Sequence, residues 1–424
     1  MGEAFLVQKM RESSFLIFGC FQVAAAYHTV EIRDDVVNIN LDTNAILNKI
    51  GLEHPFVCAN FDWWPDEKCD YGNCSWVGNG INKLDFDNEV LQAAATALST
   101  SSTGYGANFG LLRIGGSLQD HINYDFTTMD EHCAPFPMKL DPNDHLGFDQ
   151  GCVTIWKRDQ IRKLAKDTGL QVVFGLNALK GRTKYEPYWN YTGDWDYTEA
   201  KKLLDEWPEL FAVELGNEIA GHHGVTAHLD PKQYAKDFAV LLQLRNNLNI
   251  KRKPFVFGVD NALDLKWMDE FLGNLTRFSN STIDTFTWHS YPLGAGALSK
   301  VDEEIMDPSF AQKIIHTGEE IRQWSKDKPF PVWMGETGGA YNSGRNTVTN
   351  RFMSAFWYLD WMGILSAAGH KSFCRQTLVG GNYGLLQNIN GKMVPNPDFW
   401  GAKLFNDLLR GEVINGWFFF SQSK

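Results

Sequence analysis

Eight short, almost continuously apolar runs, spaced by segments of helix length, constrain the fold of this 424-residue chain more than any other feature. They are FVCANFDW (56–63), LLRIGG (111–116), VVFGLN (172–177), FAVELGN (211–217), PFVFGVD (254–260), TFTWHSY (285–291), VWMGET (332–337) and SFCRQTL (372–378). Runs without polar alternation are what parallel strands covered on both faces require. Between them, 90–100, 156–168, 198–206, 232–247, 308–326 and 350–368 have the spacing of amphipathic helices. Eight such units predict an α/β protein, a (β/α)8 TIM barrel. The competing architecture, a doubly wound open sheet, wants a glycine-rich phosphate loop directly after an early strand; Gly104-Tyr105-Gly106 instead precedes one.

Nearly every run ends in polar side chains: Asp62, Arg113, Asn177, Asn217 with Glu218, Asp260, His289 with Tyr291, Glu336, and Arg375 with Gln376. In a barrel these ends converge on one mouth, the usual seat of the active site. Glu218, after the fourth run, and Glu336, ending the seventh, stand on opposite sides of that mouth. Two carboxylates so placed suit glycoside hydrolysis, one protonating the leaving oxygen and the other attacking the anomeric carbon, with Asn217 on the sugar 2-hydroxyl. Either glutamate alone reads equally well as an ion-paired strand end; the pair together favours catalysis.

The formal net charge of −12 argues against nucleic acid and anionic surfaces as partners. Lys9 and Arg11 precede SSFLIFGCFQVAAAY (13–27), which reads as a secretory signal peptide over 1–26 despite Glu3 and Glu12. Sequons at Asn73, Asn190, Asn274 and Asn280 agree with a secreted protein. The cysteines do too: Cys69 with Cys74, and Cys133 with Cys152, bracket turn-rich loops and are predicted disulfides. Cys58 and Cys374 lie inside apolar runs and are predicted buried thiols. No His/Cys grouping has metal-ligand spacing, and adjacent His222 and His223 read as loop residues, so neither metal nor cofactor is expected.

The motifs ELGNE (214–218), TWHSY (287–291), GETGGAYNSG (335–344), FGLNALKGR (174–182), LRIGGSLQD (112–120) and CRQTLVGGNYGLL (374–386) together resemble the heparanase/β-glucuronidase family of retaining glycoside hydrolases, family 79. VCANFDWWPDEKCDYGNCSW (57–76) and MVPNPDFW (393–400) are similar to its plant heparanase-like, baicalinase-like branch. The resemblance runs from about residue 29 to 411. It implies Glu218 as acid/base, Glu336 as nucleophile, and Tyr291 and His289 beside the nucleophile. It also implies that Tyr383 and the backbone amides of Asn342 and Ser343 grip a uronate carboxylate, and that Asp62 and Ser117 meet sugar hydroxyls.

The substrate so implied is a glucuronide-bearing small molecule or glycan, acted on outside the cell or in a lysosome or vacuole, with peripheral membrane or cell-wall association. The exit of the fifth run, GVDNALDLKW (258–267), lacks the paired arginines that animal relatives use on sulfated chains, which favours exo action on a smaller aglycone. An inactive carbohydrate-binding remnant, an endo-acting glucuronidase and a barrel β-xylosidase or arabinofuranosidase are the alternatives. The family also implies an accessory β-sandwich. Here 27–50 is expected to be its N-terminal strand, 51–411 the barrel, and 412–424 the start of a truncated C-terminal segment, leaving 29–43 unpaired.

Overall fold

The computed structural model describes residues 4–7, 28–32, 35–100, 108–126, 136, 148, 150–185, 190–221, 227–298 and 300–421. Its centre is a closed barrel of eight strands. They are β1 (Val57–Asp62), β2 (Gly110–Gly115), β3 (Leu170–Leu176), β4 (Ala212–Leu215), β5 (Phe255–Ala262), β6 (Thr285–His289), β7 (Val332–Thr337) and β8 (Ser372–Arg375). Each strand pairs in parallel with its sequence neighbour, and β8 returns to β1. A helix follows every strand: Glu89–Ser99, Ile155–Thr168, Thr198–Glu206, Pro231–Asn247, Leu265–Phe278, Pro308–Ser325, Phe352–Ala367 and Pro397–Leu408.

Local chemistry sets the helix ends. Asp230 caps Pro231–Asn247 by accepting from the N–H groups of Lys232 and Gln233, with Pro231 in the first turn, where a missing N–H costs nothing. Thr154 caps Ile155–Thr168, and Gly169, at φ +75°, ends it in the left-handed conformation that frees the chain to enter β3.

The two ends of the barrel differ. Residues near the strand starts, Cys58, Leu111, Val173, Ala212, Phe257, Trp333 and Cys374 with Phe211, form an apolar plug. The strand C-termini carry the buried polar residues, so the mouth lies there, as predicted.

Two expectations are corrected. Cys58 and Cys374 are joined as a disulfide, not free thiols. Closure of the barrel sets β8 beside β1 with Cys374 directly opposite Cys58, across 316 residues of sequence. Nor is the N-terminal segment unpaired. His28–Ile32 and Asp35–Ile50 form a hairpin, and Asp35–Ile50 pairs antiparallel with Gly411–Ser421 in a four-stranded sheet that Ala4–Val7 completes. Asn48 docks this sheet on the barrel, donating to the carbonyls of Ser366 (2.8 Å) and His370 (2.7 Å). Ala4–Val7 falls within the stretch read as a signal peptide.

Cys69 and Cys74 are disulfide-bonded. Cys152 is also in a disulfide, while Cys133, like His222 and His223, lies outside the described residues. The four sequon asparagines differ: Asn280 is exposed, and Asn73 and Asn190 are half-buried. Asn274, only 7% exposed, donates to the Glu270 carbonyl on the inner face of its helix, which does not suit a glycan acceptor. Among the described residues no helix is long and apolar enough to cross a membrane.

Candidate active site

The turn after β4 is built to aim a carboxylate. Gly216 takes φ +74°, and a Cβ there would meet that of Ala178 at 2.9 Å, so glycine alone fits. Asn217 follows, and Glu218 is itself left-handed at φ +53°. Such a conformation costs a non-glycine residue roughly 1–3 kcal/mol and persists only where the surroundings impose it. Here two clamps do so. The Glu218 N–H donates to the Asp260 carbonyl (2.8 Å), and the Asn217 N–H to Asp120 Oδ2 (2.8 Å). The other Asp120 oxygen accepts from the Ala178 N–H (2.7 Å), tying the ends of β3 and β4 together.

Glu336, near the end of β7, accepts from the Tyr291 hydroxyl on Oε1 (2.6 Å) and from Arg113 Nη1 on Oε2 (2.8 Å). Charge-assisted bonds of this kind fix a carboxylate while leaving a lone pair on each oxygen. Glu218, His289 and Glu336 bring one polar atom each within 4.8 Å of one another, so the two glutamates predicted to meet do meet. His289 Nδ1 faces Glu218 Oε1 (2.9 Å) and Nε2 faces Asp260 Oδ1 (2.9 Å). Burial disfavours the imidazolium, but the charges of Asp260 and Glu336 outweigh it and raise His289 to about 10.

Arg113 reads in the sequence only as a polar strand end; it is the hub of the mouth. Besides Glu336 it donates to Glu214 Oε2 (2.7 Å), to Asn217 Oδ1 (2.9 Å) and to Asp260. Glu214 and Asp260 divide their charge unequally. Burial and the neighbouring Asp260 push Glu214 well above the usual carboxylate range. Burial opposes ionisation of Asp260 too, but Arg113 and His289 hold it well below that range. Burial and the Glu336 charge likewise raise the Tyr291 hydroxyl, keeping it a donor.

The remaining predicted residues lie at or after the ends of β1, β2, β7 and β8. Asp62, at the end of β1, accepts from Gln376 Nε2 (2.7 Å) and the Trp64 N–H (3.1 Å). Gly116, φ +99°, presses on it, since a Cβ there would lie 2.3 Å from Asp62 Oδ2; Ser117 then opens the 3-10 turn Ser117–His121. Tyr383 is buried, 6.5 Å between ring centres from Tyr291. Asn342 and Ser343 lie in the loop after β7, both left-handed, followed by Gly344.

These shifts predict a pH profile of stability. Burial, with Glu336 for Asp62, raises Asp62 and Asp120 from 3.8 to about 7. The folded state therefore holds protons that the unfolded chain has released, and stability falls as pH rises from about 4 to 7. His289, raised from 6.5 to about 10, acts in the same sense between those values. The depressed Asp260 acts oppositely, below about 4. The melting temperature should therefore peak near pH 4 and drop by several degrees by pH 8, a loss on the order of a few kcal/mol. Calorimetry across pH 4–9 checks this; a melting temperature that rises from pH 5 to 8 contradicts it.

Comparison with known proteins gives the family. The model of "Glycosyl hydrolase family 79, N-terminal domain" matches residues 36–363. The chain belongs to glycosyl hydrolase family 79. It is 36% identical to heparanase-like protein 3 of Arabidopsis thaliana, over 86% of this chain and 66% of that protein. It is 31% identical to the baicalin-β-D-glucuronidase of Scutellaria baicalensis, over 90% of this chain and 72% of that one. The chain thus spans about two thirds of the length of these relatives. Among solved structures, a 4-O-α-L-rhamnosyl-β-D-glucuronidase from Fusarium oxysporum aligns with a TM-score of 0.59 at 15% identity, over 88% of this chain and 74% of that one. That likeness speaks to the fold, and the family-79 chain here shares its barrel.

Proposed function

We propose that this chain is a retaining β-glucuronidase that removes β-linked glucuronic acid from a small glycoside or a cell-wall glycan. The observation that carries the reading is the meeting of Glu218 and Glu336, with an oxygen of each within 4.8 Å and Glu336 held by Arg113 and Tyr291. Retaining enzymes set their carboxyls about 5–5.5 Å apart, whereas inverting enzymes leave roughly 6.5–9.5 Å for a water.

In this mechanism Glu336 attacks the anomeric carbon while Glu218 gives its proton to the departing oxygen. The glycosidic bond breaks as the ester to Glu336 forms. Glu218, now a carboxylate, takes a proton from water, which attacks the same carbon and releases Glu336. Arg113 and Tyr291 point Glu336 at the sugar, and His289 holds Glu218 Oε1, leaving Oε2 toward the leaving group. Asn217 contacts the 2-hydroxyl, Asp62 and Ser117 meet other hydroxyls, and Tyr383 with the amides of Asn342 and Ser343 receives the uronate carboxylate. The uronate preference draws support from the named activity of the Scutellaria relative. The exposed Cys69–Cys74 disulfide supports an oxidising compartment, extracellular or vacuolar.

The test is a panel of aryl β-glucuronides, β-glucosides and β-xylosides with one aglycone at mildly acidic pH. We expect kcat/KM about 100-fold higher for the glucuronide, the discrimination that contacts to one charged group supply. Preference for a neutral sugar, cleavage inside a polymer only, or binding without turnover would each replace this reading.

A further inference from the structure

The loop after β1 carries a feature that the chemistry above does not use. Cys69 and Cys74 close a miniature hairpin in which Asp70 and Asn73 exchange both backbone hydrogen bonds (3.0 and 2.9 Å). Tyr71 and Gly72 at its tip are left-handed, at φ +55° and +76°, as a tight two-residue turn requires. Both cysteines are exposed, yet the hairpin is not an idle surface loop.

Its side chains reach the loop after β7, two strands away around the barrel. Asn342 Nδ2 donates to the Tyr71 hydroxyl (3.1 Å), and the Ser343 hydroxyl donates to Asp70 Oδ2. Trp76, just beyond the hairpin and fully buried, donates from Nε1 to Ser343 Oγ (2.8 Å). Asn73 Nδ2 donates to Asn382 Oδ1 (3.1 Å), and the Asn382 N–H returns to the Ser343 carbonyl (2.6 Å). Lys68 Nζ, 3.2 Å from Asp70 Oδ1, offsets the charge that Asp70 brings.

The segment so gripped is unusual. Asn342, Ser343 and Gly344 follow one another at φ +53°, +66° and +71°. Left-handed non-glycine residues need outside restraint, and the hairpin supplies it to both. It also occupies the Asn342 amide and the Ser343 hydroxyl. Tyr383 packs against the same place: a Cβ on Gly344 would meet its Cβ at 3.2 Å, and its ring lies 6.3 Å from that of Trp76.

We propose that the Cys69–Cys74 hairpin sets the left-handed backbone of residues 342–344, and through it the preference of the site for a sugar bearing a carboxylate over a neutral hexose. Asp70 and Tyr71 are positioning residues, acting through Ser343 and Asn342. This rests on the glucuronidase reading, but it makes a separate claim about which element confers the selectivity.

The test compares 4-nitrophenyl β-glucuronide with 4-nitrophenyl β-glucoside in the full chain, with inhibition by glucuronic acid and by glucose giving the same ratio without turnover. The variants are Cys69→Ser/Cys74→Ser and Asp70→Ala. In each, the glucuronide-to-glucoside ratio of kcat/KM should fall about tenfold, with the glucoside value within about twofold of wild type, as loss of one set of substrate contacts implies. Equal losses on both substrates, or an unchanged ratio, overturn the proposal, since a merely structural hairpin would move both together. Asp70→Ala keeps the disulfide and decides the matter should the double serine variant not fold. Failure of the glucuronidase reading shows first in wild type, as a ratio near one, and takes this proposal with it.

Discussion

Glu336→Gln should abolish turnover of an aryl β-glucuronide, lowering kcat/KM by about 10⁴-fold or more, the scale of losing a nucleophile that acts as one unit with its partners. The substitution removes the charge and the attacking oxygen but keeps the shape, so Tyr291 and Arg113 retain an acceptor on one side. The variant should stay folded and still bind glucuronic acid, which separates lost chemistry from lost structure. Glu218→Gln should behave differently. General acid catalysis contributes about 10²–10⁴-fold, and it matters most where the departing oxygen is a poor leaving group. Turnover of an unactivated glycoside should therefore collapse while that of a 4-nitrophenyl glucuronide persists in part. Measuring both variants against both aglycones gives four rates. A Glu218→Gln enzyme equally impaired on the two substrates would argue against the acid/base role even if Glu336 proved essential.

Arg113→Met should cost more stability than any other single change in the mouth. The guanidinium is 1% exposed and touches Glu214, Asp260 and Glu336, so its removal leaves these buried carboxyls with His289, on Asp260, as the remaining cation beside them. Removing one partner of a buried ion pair costs about 3–5 kcal/mol, because the surviving charge is left uncompensated. For a chain of this size that corresponds to a fall in melting temperature of about 3–6 °C. Catalysis should fail as well, since Glu336 loses a donor and Asn217 its anchor. Arg113→Lys restores the charge but not the planar fork that reaches several acceptors at once, and should recover part of the stability and little activity. Thermal melts of the three proteins at pH 5 provide the check. An Arg113→Met protein melting within a degree or two of wild type would mean that the network is not the keystone the geometry makes it.

Much of this is legible because strand and helix leave different periods in a sequence. The eight apolar runs and most helices need only that period, and the mouth follows from polar residues at the run ends. Helix Leu265–Phe278 is harder to see in the sequence, since its first residues read as the exit of the fifth strand. Its period sets Asn274 on the buried face beside Phe271 and Leu275, and so discounts that sequon. The Cys58–Cys374 bond is illegible for another reason. Which residues of β8 and β1 lie opposite depends on barrel closure, a register that no local pattern encodes. Arg113 does leave a signal: a cation inside LLRIGG must be buried, and a buried cation needs partners. Glu214 and Asp260 are on view in neighbouring runs, but only the fold shows that they reach it. The pairing of Asp35–Ile50 with Gly411–Ser421 likewise joins segments from opposite ends of the chain.

The most direct test of the double-displacement reading is to trap its covalent intermediate. A 2-deoxy-2-fluoro-β-glucuronide with a good leaving group slows both steps, since fluorine at C2 destabilises the oxocarbenium-like transition state, while the leaving group keeps the first step the faster. Mass spectrometry of the digested protein should find one fluoroglucuronyl group per chain, on the peptide containing Glu336. A label on another residue, or an active enzyme that accumulates no adduct and releases the inverted anomer, would contradict the account.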